Sequence, residues 1–171
     1  MQISAQHAET LVQKLRVLVV DDNPFMRTVV RNLLGQIGVK KIFEAGDGVV
    51  ALEKIRNLTP DVVILDWEMP LLNGPELVRI VRSPDTFPVP DIPIIILSAH
   101  GERWRIIESA KLGVNEFLCK PVSAKALLDR LISILLKPRQ SVQVGTYYGP
   151  APRRMEAESE PDKPTPSPSA A

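Results

Sequence analysis

Short runs rich in Val, Ile and Leu recur along the chain, and a polar residue follows each run. The clearest runs lie in residues 16–20, 62–65 and 94–97, and a shorter apolar segment, Phe-Leu-Cys, lies at 117–119. They lack the strict apolar–polar alternation of a strand with one face in water. Near-continuous apolar strands of this length are typical of sheets covered by helices on both faces. The pattern therefore favours a buried parallel sheet over an exposed antiparallel one.

Segments with helical spacing lie between these runs. Asn23 can cap the first of them and Pro24 can begin it, while Ser123 can cap the last. With a second strand at 41–45, five strands alternate with five helices. Right-handed crossovers then predict an α/β fold with a doubly wound, five-stranded parallel sheet, (βα)5 and flavodoxin-like, in strand order 2-1-3-4-5. The predicted helices cover about 24–37, 47–58, 75–82, 102–112 and 123–136.

Composition changes at both ends of this repeating region. Residues 1–14 are a leader with a helical turn or more, 15–137 form the domain, and 138–171 contain seven of the 16 prolines. We expect that tail to be mostly disordered, because it has few aliphatic residues to bury. The net charge of +1 argues neither for nucleic acid nor for acidic partners, so we expect no nucleic-acid partner, and the single cysteine excludes an intrachain disulfide. No signal peptide or membrane-spanning run is visible, so we expect a cytoplasmic protein without membrane contact.

The polar residues that follow the strands carry the chemistry. Asp21 and Asp22 follow the first strand, Asp66 the third, Ser98 the fourth and Lys120 the fifth. In a parallel sheet these ends share one edge. Two like charges about 4 Å apart repel by about 4 kcal/mol at an effective dielectric of about 20, so the acids need cations nearby. Lys120 supplies one, and a hard divalent cation such as Mg²⁺ fits the oxygen ligands and phosphoryl transfer. An ionised aspartate could itself accept the phosphoryl group.

Four segments carry a family resemblance. They are VLVVDDN (17–23), DVVILDWEMP…NG (61–74), IIILSAH (94–100) and FLCKP (117–121). In this order and at strand ends, they resemble the receiver domain of two-component response regulators, the CheY-like class, over about 15–137. The resemblance implies that Asp66 is the phosphoacceptor and a Mg²⁺ ligand.

The same resemblance implies roles for the residues around Asp66. Asp22 would bind Mg²⁺ directly, Asp21 through water, and Glu68 through its backbone carbonyl. Ser98 would turn toward the phosphoryl group and Lys120 would pair with it. The resemblance also implies a cis peptide bond between Lys120 and Pro121.

The implied function is that of a stand-alone receiver, because the tail leaves no length for a folded output domain. A sensor histidine kinase or a histidine phosphotransfer protein would donate the phosphoryl group. The chain would catalyse only its own phosphorylation and dephosphorylation, and so would not be an enzyme in the ordinary sense. Phe117 would change rotamer, and a downstream effector would read the face made by the fourth helix, fifth strand and fifth helix. We expect Trp104 and His100 on that partner surface, which could also support a homodimer.

Three further expectations concern burial and loops. Helical spacing predicts that Ile106, Ile107 and Ala110 face the sheet, which leaves Trp104 exposed. Cys119 should be a buried small residue. The proline-rich segment 82–93 is longer than this connection usually is in the family, and we interpret it as a stiff surface loop.

Other functions remain open at this point. A phosphorelay shuttle would pass the phosphate from Asp66 to another histidine. A Mg²⁺-dependent small-molecule phosphatase with an aspartyl intermediate would need a second carboxylate two residues after the nucleophile. Glu68 meets that spacing, but no substrate-binding insert is visible. An FMN-binding flavodoxin-like protein is disfavoured, because Asp21 and Asp22 would repel the phosphate.

Overall fold

The computed structural model of the chain describes residues 4–153. Five parallel strands form one sheet in the order β2-β1-β3-β4-β5, which confirms the predicted doubly wound α/β fold and its strand order. Asp66 pairs with Leu97, and Ser98 pairs with Cys119, so the carboxyl ends of neighbouring strands lie side by side. The strands are β1 (Arg16–Val20), β2 (Lys41–Ala45), β3 (Val62–Asp66), β4 (Ile94–Ser98) and β5 (Glu116–Cys119).

The helices begin where the capping residues predict. The Asn23 side chain accepts hydrogen bonds from the backbone N–H groups of Phe25 and Met26, and Ser123 accepts one from Ala126. These bonds satisfy amide donors that have no partner within the helix. The helices are α1 (Ala5–Gln13), α2 (Pro24–Gln36), α3 (Gly48–Leu58), α4 (Gly74–Val81), α5 (Arg103–Leu112) and α6 (Ala124–Leu136). Within residues 4–153, no helix is both long and apolar enough to cross a bilayer.

Two apolar layers cover the sheet, because alternate strand residues point to opposite faces. On one face, Leu18 and Leu65 pack in a cluster with Ile55 of α3 and Leu77 of α4. On the other face, strand residues join buried residues of α1, α2 and α6. That second cluster includes Val12, Val17, Val19, Leu34, Ile64, Leu127 and Leu131.

Both ends of the chain have more structure than their composition predicts. The leader forms α1, whose Ala8 and Val12 are buried, and this helix packs against α6. The expectation of a disordered tail is wrong for its first part, because residues 141–150 form an antiparallel hairpin of β6 (Ser141–Val144) and β7 (Tyr147–Pro150). A lone hairpin is marginal in water, but this one packs on the domain and buries Gly149 and Pro150. The rest of the predicted tail, 154–171, lies outside the described residues.

The loop at 82–93 and this C-terminal hairpin (141–150) contact each other. Buried Arg82 donates hydrogen bonds to the carbonyl of Gly113 at 2.9 Å and to Asn115 Oδ1 at 3.0 Å. Burial lowers the pKa of Arg82 to about 10, so its guanidinium stays charged at neutral pH. The Tyr148 hydroxyl donates to Asp91 in the loop. Gly113 has φ +93°, and a Cβ there would lie 2.8 Å from the Tyr148 carbonyl oxygen, so the hairpin's close approach requires glycine.

The predicted burial of α5 and Cys119 is wrong. Ile106 and Ile107 are 43% and 44% exposed, and Ala110 is exposed as well. Helical spacing identifies an apolar side but not what that side faces, and here it faces a groove beside the C-terminal hairpin. Trp104 is 56% exposed, as predicted. Cys119 is exposed because it ends β5, an edge strand of the sheet.

Candidate functional site

Three carboxylates meet at the carboxyl edge of the sheet. Asp66 is the last residue of β3, and Asp21 and Asp22 follow β1 directly. One carboxylate oxygen from each of the three lies within 4.8 Å of the others. Asp21 and Asp66 are buried, at 3% and 8% exposure, whereas Asp22 is exposed. We call these residues the acidic cluster.

The backbone around the cluster holds two of the aspartates in place. The Asn23 N–H donates to Asp21 Oδ1 at 2.9 Å, and the Arg27 guanidinium donates to the Asp21 carbonyl at 2.7 Å. Behind Asp66, the N–H of Gly74 donates to the Trp67 carbonyl. A Cβ at Gly74 would lie 2.7 Å from the Asp66 carbonyl oxygen. Only glycine allows the start of α4 to approach the backbone of Asp66 this closely.

Lys120 is the cation at the cluster. Its Nζ lies 3.0 Å from Asp66 Oδ1 and 3.4 Å from Asp21 Oδ2. Its backbone N–H donates to the Ser98 carbonyl at 2.7 Å, which ties the end of β5 to the end of β4. The Lys120-Pro121 peptide bond is cis, as the resemblance implies. The sequence therefore predicts correctly that residues 99 positions apart meet here.

The charges of the cluster are not balanced. Burial raises the pKa of Asp66, the neighbouring charges of Asp21 and Asp22 raise it further, and the hydrogen bond from Lys120 opposes this only in part. Burial lowers the pKa of Lys120, but its contacts with Asp66 and Asp21 outweigh this, so that pKa is raised. Lys120 is thus charged at neutral pH. Three ionised carboxylates facing one ammonium leave a surplus of two negative charges.

The cluster fits a magnesium ion. Its donors are carboxylate oxygens, which hard divalent cations prefer, and its two surplus negative charges match a divalent ion. Asp21, Asp22 and Asp66 are the residues that would hold it. The Glu68 side chain points elsewhere, toward Arg105 and His100. The predicted role of the Glu68 backbone carbonyl as a ligand stays a prediction.

Comparisons with known proteins place this arrangement in a family. A sequence model described as the response regulator receiver domain matches residues 17–132. The chain belongs to the response regulator receiver family. It is 38% identical to the chemotaxis protein CheY1 of Helicobacter pylori over 122 residues, which are 71% of this chain and 97% of that protein. It is 35% identical to CheY-3 of Vibrio cholerae over 124 residues, or 72% and 94% of the two chains.

Solved receiver structures share the fold. The chemotaxis protein CheY4 of Vibrio cholerae matches with a TM-score of 0.61 at 32% identity, over 68% of this chain and 95% of that one. The receiver domain of the Arabidopsis thaliana histidine kinase CKI1 matches with a TM-score of 0.63 at 28% identity, over 74% and 94%. That receiver was crystallised with Mg²⁺ and BeF₃⁻. The C-terminal hairpin lies beyond the family match.

Ser98 ends β4, the strand next to that of Asp66, and Phe117 lies one strand further on, in β5. The Ser98 side chain is buried, and its Oγ accepts a hydrogen bond from the His100 N–H at 3.1 Å. Phe117 is partly buried and packs edge-on against Trp67, with the ring centroids 6.4 Å apart. Because Trp67 follows Asp66 directly in the chain, its ring contact links the backbone at Asp66 to Phe117.

Sequence reasoning missed two residues, Trp67 and Arg105, whose contact connects the acidic cluster to α5. The guanidinium carbon of Arg105 lies 5.5 Å from the Trp67 ring centroid and 5.0 Å from that of Trp104. Arg105 Nη1 also lies 3.1 Å from a Glu68 oxygen, as an ion pair without hydrogen-bond geometry. His100 approaches Glu68 at 3.7 Å. The position of Trp67 directly after Asp66 was the available sequence signal, but nothing in the sequence pairs Trp67 with Arg105.

Proposed function

We propose that Asp66 is the phosphoacceptor of this receiver. The observation that carries the proposal is that Asp66, which lies within 4.8 Å of both other acids, accepts the shorter of the two hydrogen bonds from Lys120, at 3.0 Å against 3.4 Å for Asp21. The donor would be a phosphohistidine of a sensor histidine kinase or of a histidine phosphotransfer protein. The Mg²⁺ and BeF₃⁻ bound to the CKI1 receiver support such a site in a relative.

The transfer is a displacement at phosphorus. An Asp66 carboxylate oxygen attacks the phosphoryl group, the P–N bond to histidine breaks, and its electron pair stays on the imidazole. Lys120 neutralises charge on the phosphoryl oxygens, and Ser98 turns its hydroxyl toward them. Asp22 and Asp66 would hold Mg²⁺ directly and Asp21 would hold it through water, and the ion would supply further charge neutralisation. Attack of water on the acyl phosphate releases inorganic phosphate and restores the Asp66 carboxylate, so the chain catalyses only its own phosphorylation and dephosphorylation.

The output of the switch is binding of an effector protein in the cytoplasm. We place the partner surface on α5, β5 and α6, where Trp104 is exposed and Phe117 reaches the surface groove. We assign His100 to the same surface, because its N–H donates to Ser98 Oγ and its ring lies 3.6 Å from Glu102, which precedes α5. Phosphorylation shifts the protein between two arrangements, and the effector prefers one of them. The same face could pair two copies of the chain.

Phosphoryl uptake is the direct test. Incubation with acetyl phosphate and Mg²⁺ should add one phosphoryl group to the intact protein, seen by mass spectrometry. Asp66→Asn should not label, whereas Asp129→Asn, an exposed change on α6 with the same loss of charge, should label like the wild type. Equal labelling of Asp66→Asn and wild type would remove the proposal.

A phosphorelay role makes a different prediction for the labelled protein. A shuttle would return the phosphoryl group rapidly to a histidine phosphotransfer protein, whereas an effector switch would retain it and bind its partner. A chase of labelled protein with a purified phosphotransfer domain separates the two functions.

A further inference from the structure

Glu68 stands two residues after Asp66, but its side chain points toward α5. Its carboxylate is not one of the three that lie within 4.8 Å of one another at the acidic cluster. Instead, its Oε1 lies 3.1 Å from Arg105 Nη1 and 3.7 Å from His100 Nε2. The Glu68 side chain is 59% exposed, so these contacts rather than burial set its direction.

Arg105 is held in place by aromatic rings. Its guanidinium carbon lies 5.0 Å from the Trp104 ring centroid and 5.5 Å from that of Trp67, and both distances are within the range of cation–π attraction. The Arg105 side chain is only 15% exposed, and its buried Nε and Nη1 have no hydrogen-bond partner within residues 4–153. Stacking thus fixes the guanidinium, while its contact with Glu68 is an ion pair without a directional hydrogen bond.

Glu68 has room to leave this ion pair. Glu68 and Arg105 line a cavity of about 480 Å³ together with Trp67, Met69, Pro70 and Asn73. All of these residues except Arg105 belong to the segment 67–73, which directly follows Asp66. A Glu68 side chain without its cation can therefore take other rotamers at low cost, including rotamers closer to Asp66.

A released Glu68 carboxylate would change the charge balance beside Asp66. The acidic cluster, with Lys120 charged, already carries two surplus negative charges. A fourth carboxylate nearby would attract Mg²⁺ and would repel an anionic phosphoryl donor. The two effects have opposite signs, so Mg²⁺ affinity and phosphoryl uptake should respond in opposite directions.

We propose that Arg105 is a positioning residue for phosphoryl uptake, which neutralises the Glu68 carboxylate and holds it away from Asp66. The carboxylates that Arg105 contacts are those of Glu68 and Glu102, and not those of the acidic cluster. Arg105 therefore acts on the phosphoacceptor through Glu68. The inference rests on the proposed function, since Glu68 affects uptake only if Asp66 is the acceptor.

A double-mutant cycle on the full-length chain tests this role. Arg105→Met removes the cation and Glu68→Gln removes the carboxylate. At saturating Mg²⁺, Arg105→Met should slow labelling by dilute acetyl phosphate about three- to fivefold, and it should lower the Mg²⁺ dissociation constant by a similar factor. That constant is obtained from the rise of the melting midpoint with Mg²⁺ concentration, which requires no phosphorylation. In the Glu68→Gln background, Arg105→Met should change either quantity by less than about twofold.

Arg103→Met is the matched control, because Arg103 is exposed on the same helix and the change removes the same charge. Both quantities should stay within about twofold of the wild type in this variant. Melts in EDTA show whether each variant is folded, and Arg105→Gln repeats the cycle if Arg105→Met is not. Equal effects of the Arg105 change in the wild-type and Glu68→Gln backgrounds would overturn the proposal, since Arg105 would then act by its own charge or packing. No effect in either background would overturn it as well.

The failure of this inference is distinguishable from failure of the proposed function. Wild-type protein that binds Mg²⁺ but takes up no phosphoryl group at Asp66 would remove the proposed function, and the role of Arg105 in uptake with it. Uptake at Asp66 that Arg105→Met leaves unchanged, with an unchanged Mg²⁺ dissociation constant, would remove the role of Arg105 alone.

Discussion

Asp66→Asn should stabilise the fold when no divalent cation is present. Two like charges 4.8 Å apart, the limit for the acidic cluster, repel by about 3.5 kcal/mol at an effective dielectric of about 20. Asp66 makes two such contacts, with Asp21 and Asp22, while its contact with Lys120 at 3.0 Å recovers about 5.5 kcal/mol. The difference is about 1.5 kcal/mol in favour of the neutral side chain, and the burial of Asp66 acts in the same direction. For a chain of this size that corresponds to a melting midpoint about 3–6 °C higher.

The stability difference between Asp66→Asn and the wild type should depend on pH, because the pKa of Asp66 is raised. At pH values between the ordinary pKa of 3.8 and the raised pKa, the folded protein holds the Asp66 proton more tightly than the unfolded chain does. The contribution of this group to stability is therefore present below pH 3.8 and is lost as pH rises through the folded pKa. The advantage of Asp66→Asn should be absent in acid and complete at neutral pH.

Thermal melts with EDTA and with Mg²⁺ test the reasoning. Magnesium at 100 times its dissociation constant stabilises the wild type by about 2.7 kcal/mol, and Asp66→Asn should gain less because it lacks one ligand. Mg²⁺ should thus reduce the difference between the two melting midpoints or reverse their order. Asp129→Asn should follow the wild type under both conditions. A lower midpoint for Asp66→Asn in EDTA, or an equal gain from Mg²⁺ in both proteins, would refute the electrostatic argument.

Three further changes test other contacts. Gly74→Ala places a methyl group 2.7 Å from the Asp66 carbonyl and should lower both the melting midpoint and the rate of labelling by acetyl phosphate. In the control Gly35→Ala, the added methyl group has no neighbour within 4 Å, and the change should stabilise α2 by about 0.5–1 kcal/mol in a urea melt. Arg82→Met removes buried hydrogen bonds and should cost about 3 kcal/mol in the same melt, with faster hydrogen exchange in residues 141–150; unchanged exchange would show that Arg82 does not hold the hairpin. Phe117→Ala should leave labelling of Asp66 intact but abolish the difference in effector binding between the labelled and unlabelled forms, and a preserved difference would exclude Phe117 from the switch.

The acidic cluster was predictable because it depends on topology. Once the apolar runs predict a parallel sheet, the residues after β1, β3 and β5 must share an edge, whatever their separation in sequence. The capping residues Asn23 and Ser123 were predictable for a similar reason, since they act on amides within three positions. Such features need only local patterns and one general rule about parallel strands.

The features that the sequence did not reveal depend on contacts between distant segments. Helical spacing in α5 indicates an apolar side at Ile106 and Ile107, but only the fold shows that this side faces a groove. The C-terminal hairpin reads as a polar, proline-rich tail because its stability comes from the domain, through the contacts of Asn115 and Asp91. Composition measures what a segment can bury by itself, whereas this hairpin is buried against residues that lie elsewhere in the chain.

The contacts of this hairpin have a consequence for the switch. The Trp67 ring follows Asp66 and packs on Phe117, and Phe117 in turn lines the groove that the hairpin completes. Two packed rings therefore connect Asp66 to the groove between α5 and the C-terminal hairpin. For the proposed function, coupling along this path requires that an effector bind the phosphorylated and unphosphorylated forms with different free energies. A tenfold preference needs only about 1.4 kcal/mol, which is within the range for repacking one aromatic side chain. The proposed switch therefore requires no more than a change in the position of Phe117, which the Phe117→Ala measurement tests.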